Sequence, residues 1–116
     1  MNPKTVAAAI RRGRKEWPKM RVARGTLART SWGGNAGVDQ LIRLKRLKKQ
    51  ALGYNITSTC AAGFAVLGCM NLAPASVLFA EICPVKRCYQ HGISIAHLND
   101  SHRWTPEQIA AWLESL

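Results

Sequence analysis

Acidic residues are scarce in this 116-residue chain, six against seventeen Lys and Arg, and the scarcity is uneven. Residues 1–50 hold only Glu16 and Asp39 beside fourteen cations, a balance of +12, while residues 51–116 balance at −1, which together give the net +11. Recognisable catalytic constellations are also missing. His97, Asp100, His102 and Glu107 come nearest to an acid–base set, and Cys83 or Cys88 with His91 to a nucleophile pair, but no spacing supports either. There is no nucleophile elbow, no paired-carboxylate signature and no phosphate-cradling loop: the "GGNAG" at 33–37 lacks the Lys-Ser/Thr and the preceding strand. The expectation is a protein that is not an enzyme. A secretory signal is lacking too, since "VAAAI" runs into Arg11 and Arg12 after too short an apolar run. Its four cysteines then read as free thiols or metal ligands in a reducing compartment rather than as disulfides. No internal repeat or low-complexity segment occurs.

What is present first is the positive charge. Such density over one half predicts a polyanionic partner, nucleic acid or an acidic protein surface, because like charges packed this closely repel without a counter-charge. Residues 1–37 read as a basic arm, flexible or ordered by a partner. A short helix after Thr5 is limited by Gly13 and Pro18, and a turn-rich stretch follows through Gly25, Gly33, Gly34 and Gly37. Residues 38–52 read as a helix, with Val38, Leu41, Ile42, Leu44 and Leu47 among five cations. The polyanion contacts fall to Arg11, Arg12, Arg14, Lys15, Arg43, Lys45, Arg46, Lys48 and Lys49, acting through phosphates and without sequence preference.

From Gln50 to Ala80 the chain carries no charge. The alternative of a small membrane protein spans this run at about 58–80, but Asn71 and Pro74 divide it into pieces too short for a bilayer. It therefore reads as a buried helix over 58–70, a turn at "NLAP" and a second helix over 74–82. Gly63 and its alanine neighbours would let another helix approach, and Cys60 and Cys69 would be core. At the C-terminus Thr105, Pro106 and Gln108 form an N-cap and capping box, with Ile109, Trp112, Leu113 and Leu116 on one stripe. "ISIAHLND" ahead of it reads as a further helix. The second of these two helices has no cation, so a base-reading helix–turn–helix is excluded. The fold expected is mainly α: a small helical bundle over 38–116 with an extended basic N-terminal arm.

Cys83 and Cys88 are followed by His97 and His102. Two thiolates and two imidazoles make a tetrahedral zinc set, here spaced C-x4-C, eight residues, then H-x4-H. Zinc bound there would support a core of modest size. The competing assignment leaves these side chains as core thiols and hydrogen-bonding imidazoles.

At the same residues the C-terminal third resembles a group of small uncharacterised proteins of bacteriophage and bacterial genomes. Their pattern is a Cys-x-x-Gly-Ala element, a Cys pair, and a closing "hLND-x-H-x-W-T-x-E-x-IA-x-WL". Here stand Cys60-Ala-Ala-Gly63-Phe-Ala65, the pair Cys83 and Cys88, and His97-Leu-Asn-Asp-Ser-His102-Arg-Trp104, continuing Thr-Pro-Glu-Gln-Ile-Ala-Ala-Trp112-Leu. Phe64 departs from the element, and residues 25–58 match nothing in the pattern. The resemblance implies a phage origin and supports the Cys/His set as a unit; it implies no mechanism. The expectation is a non-enzymatic phage-type interaction protein of the host cytoplasm or virion. Its basic half would bind a polyanion within a virion or nucleoprotein assembly, while Trp104 or Trp112 docks a protein partner. A zinc-stabilised regulator of host transcription or defence is the second alternative.

Overall fold

In the computed structural model, residues 2–50, 55–71, 75 and 79–116 are described. Helix α1 spans Pro3–Glu16. Its cap is Asn2, whose Oδ1 accepts from Lys4 N at 2.9 Å, and Pro3 fits the first turn, where no N–H is needed. The helix runs through Gly13 and stops at Trp17, before Pro18. Strands β1 (Arg21–Val22), β2 (Ala28–Thr30) and β3 (Asn35–Ala36) follow, then α2 (Val38–Leu47), which ends where Lys48 turns left-handed at φ 56°. Next come β4 (Ile56–Thr59), α3 (Ala61–Leu67), and the antiparallel pair β5 (Phe79–Ile82) and β6 (His91–Ile93). A π turn, His97–Ser101, leads to α4, Pro106–Glu114.

This is a mixed α/β fold, and it overturns the expected helical bundle with an extended arm. A four-stranded sheet orders its strands β1-β4-β2-β3, with β1 parallel to β4 and the other pairs antiparallel. The turn-rich stretch after Pro18 supplies three of those strands. They are two or three residues long, too short to display period-two alternation in sequence. The basic N-terminal segment is not an arm, because Val6, Ala7, Ala9 and Ile10 of α1 are buried in the same core as α3 and α4. Pro3 and Asn2 start this helix three residues before the expected cap, which gives it room for 14 residues.

The uncharged run is likewise divided. The helix expected over 58–70 is strand up to Thr59 and helix only from Ala61 to Leu67. All seven residues of α3 are buried, which explains the missing charge. The turn and helix expected over 71–82 lie largely outside the described residues; the described end, Phe79–Ile82, is strand. Residues 51–52, the expected end of α2, also lie outside. Among the described residues no helix is long and apolar enough to cross a membrane.

Close approach between α1 and α3 depends on two glycines. A Cβ at Gly13 would collide with the Phe64 carbonyl, and one at Gly68 with the Ala9 carbonyl. Gly63, expected to admit a helix, instead faces the Thr59 side chain and the Leu27 carbonyl. Cys60 is buried as expected, whereas Cys69, past the end of α3, is exposed with φ 78°.

The capping box of α4 forms as the sequence indicates: Gln108 N donates to Thr105 Oγ1 at 3.1 Å and Thr105 N to Gln108 Oε1 at 2.9 Å. Ile109 and Leu113 are buried, Trp112 is half-buried with its ring edge-on to Phe79, and Leu116 is exposed.

Candidate metal centre

Cys83 directly follows β5, and its N–H still pairs with the Gln90 carbonyl at 2.9 Å, extending the hairpin. The chain then turns back through Arg87 at φ 71°, and Cys88 N bonds to the Val85 carbonyl at 3.1 Å. This tight knuckle brings two cysteines five positions apart to one side.

The histidines come from the π turn. In an α-helix, residues five apart point about 140° away from each other. The wider i→i+5 winding brings positions five apart back onto one face. His97 and His102 are such a pair, His102 closing the turn at its C-cap. Their Nε2 atoms lie 3.1 Å apart with ring centroids at 4.8 Å, and Cys88 Sγ is 3.5 Å from His97 Nε2.

The π turn is held by Asn99, which is fully buried. Its Nδ2 donates to the Ala23 carbonyl at 2.8 Å and to Asp100 Oδ1, while its Oδ1 accepts from Ala61 N at 3.0 Å. Asp100 Oδ1 also accepts from Gly25 N at 2.9 Å. Arg24 covers the end of the turn, donating to the carbonyls of Asn99, Trp104 and Arg103. These positioning residues escaped the sequence reading, although Asn99 and Asp100 sit in the "HLND" tract between the two histidines. Arg24 was counted only as charge.

Four ligand atoms, one each from Cys83, Cys88, His97 and His102, thus lie within 4.8 Å of one another. This is the set expected from sequence, and it could hold a metal ion. Burial first, then the neighbouring His102, hold the His97 pKa below its usual value, which keeps the imidazole in the neutral form that ligates metals. Burial pushes the Cys83 thiol up; the Val85 backbone opposes this and Cys88 adds to it. A cation placed among these groups would reverse the preference and draw both thiols into the thiolate form. His91 is exposed on β6 and outside the cluster.

The nine residues named for polyanion contact fall into two sets. Three are committed inside the chain. Arg11 makes a two-point ion pair with Glu114 at 2.7 and 2.9 Å, Arg14 pairs with Glu107 at 2.6 Å, and Arg12 donates to the Gly68 carbonyl at 2.7 Å. Arg14 also lies over the Phe64 ring, 5.0 Å from its centroid. Lys15 and the α2 set, Arg43, Lys45, Arg46, Lys48 and Lys49, have no side-chain partner among the described residues. No protein-family model matches the chain, and neither a curated protein nor a solved structure matches it.

Proposed function

We propose that this chain is a non-enzymatic binding protein closed by one structural zinc ion, with a basic surface that contacts a polyanion. The observation that carries the zinc is the cluster geometry. Tetrahedral zinc with Zn–N near 2.0–2.1 Å and Zn–S near 2.3 Å sets N···N at about 3.3 Å and S···N at about 3.6 Å. The pairs at 3.1 and 3.5 Å already meet those edges. All four ligand atoms lie within 4.8 Å of one another, so no edge needs to close by more than about 1.5 Å to reach tetrahedral values of about 3.3–3.8 Å. Four protein ligands fill a tetrahedron, so no position is left for the water or substrate of a catalytic zinc. A soft–borderline S2N2 donor set selects zinc over magnesium or calcium.

The ion would tie the β5–β6 hairpin to the π turn. Chelation of the zinc-loaded full chain, followed by thermal melting, tests this. The melting temperature is expected to fall with chelator and recover with one equivalent of zinc, and Cys88→Ser is expected to melt like the chelated protein. If chelator and substitution leave the melting temperature unchanged, the four side chains are only packed together.

Polyanion binding is favoured by the cations in and just after α2, which have no carboxylate partner among the described residues. The phage-type setting implied by the C-terminal signature, in a virion or nucleoprotein assembly, agrees with such a surface. Its mark is affinity for nucleic acid that falls linearly in log K against log salt.

A further inference from the structure

We infer that the groove across the outer face of the four-stranded sheet is a binding site for single-stranded nucleic acid, centred on Arg21 and Arg29 and distinct from the α2 cations. The inference deepens the polyanion proposal and rests on it.

Sheet register assembles the site. Arg21 of β1 and Arg29 of β2 both pair with Ser58 of β4, one from each side. Residues directly opposite in a ladder project from the same face. The two exposed arginines therefore flank the buried Ser58 in one row, their Cα atoms about 10 Å apart across two strand spacings. All three line a groove of about 980 Å³. Lys19 and Trp17 also line it, and Trp17, half-buried against the core, is the only aromatic residue among the described residues lining it. Two hydrogen bonds brace this edge: Arg14 Nη1 donates to the Met20 carbonyl at 3.1 Å, and Met20 N to the Trp17 carbonyl at 3.1 Å. Arg29 gives one N–H to the Arg24 carbonyl at 3.2 Å and keeps its other donors. Glu16 is the one carboxylate among the described residues lining the groove.

Cations on both flanks with an aromatic face between or beside them are the two requirements of a single-strand site. The cations follow the phosphates while a base stacks on the ring or on a guanidinium plane. A duplex keeps its bases inward and would touch only the rim, so the concave groove favours the single strand. An acidic peptide would satisfy the arginines but leave the Trp17 face unused.

The test is fluorescence anisotropy of the zinc-loaded full chain with a labelled oligothymidine of about twelve nucleotides, a duplex of equal length and labelled poly-glutamate, across a salt series. The wild type is expected to bind the single strand most tightly. Arg21→Ala with Arg29→Ala is expected to weaken it on the order of tenfold, and to reduce the log–log salt slope by about 1.4, at about 0.7 per lost phosphate contact. The melting temperature should hold, since both side chains are exposed. Trp17→Leu should weaken binding and Trp17→Phe restore it. Unchanged single-strand affinity in the double arginine variant overturns the groove while leaving polyanion binding to α2. Binding of poly-glutamate in preference to the oligonucleotide also overturns it. A wild type that binds no probe overturns the groove and the polyanion proposal together.

Discussion

Asn99 is the side chain on which the histidine pair depends. It sits at the crossing of three segments: the loop before β2, the start of α3, and the π turn itself. Asn99→Ala would leave Ala61 N and the Ala23 carbonyl without partners in a buried place, which costs about 3 kcal/mol. Urea unfolding should register that loss, and zinc affinity should fall with it although no ligand has changed. Gly13 makes a similar demand through space rather than hydrogen bonds. Gly13→Ala pushes a methyl into the Phe64 carbonyl, and parting α1 from α3 is expected to cost on the order of 2 kcal/mol. Gly34→Ala, whose Cβ would meet only the Thr30 hydroxyl at 3.6 Å, should stay within about 0.5 kcal/mol of wild type in the same melts. Neither Asn99 nor Gly13 announced its role in sequence, because both act on backbone atoms far along the chain.

Among the elements, α4 was the most readable, since its cap, its proline and the Ile109–Leu113 part of its apolar stripe are local signals, although Leu116 lies past its end and is exposed. The short strands were not. Two- and three-residue strands carry no period, and β1 finds its parallel partner β4 more than thirty residues away. The same limit hid the partners of α1: its arginines looked like a charge run until Glu107 and Glu114 of α4 came opposite them. These two ion pairs join the N-terminal helix to the C-terminal one and set a pH dependence. Burial works against the Glu107 carboxylate, but the hydrogen bond and charge of Arg14 outweigh it and hold its pKa below the usual value. The hydrogen bond from Arg11 does the same for Glu114. Depressed carboxylate pKa values give stability that is present above the unfolded value, about 4.3, and is lost as pH falls through the lower folded values. Melting temperature should therefore drop as pH is lowered below about 4.3, and Glu107→Gln with Glu114→Gln should flatten that part of the curve. Both pairs are well exposed, so 1 M salt should shrink the difference between variant and wild type.

Over the whole molecule, charge and chemistry occupy different places. The cations of α1 mostly hold the fold, those of α2 and the sheet face solvent, and two of the thiols and two of the imidazoles gather at the hairpin and π turn. The four-residue set was legible in sequence because ligand types are few and all four fall within twenty residues of one another. The winding that makes H-x4-H converge was not, because a π turn has no sequence mark of its own. If zinc is bound as proposed, the hairpin and the π turn are expected to unfold as one unit with the core, and without it the hairpin is expected to open first. Hydrogen exchange of the Cys83 and Cys88 amides should slow on zinc addition while that of α3 changes little. The most direct measurement is the metal content of the full chain, purified without added metal and compared with Cys83→Ser/Cys88→Ser by elemental analysis. One zinc per chain, absent from the double variant, is the predicted result. Wild-type protein that carries no zinc and takes up none when it is supplied in excess would contradict the account.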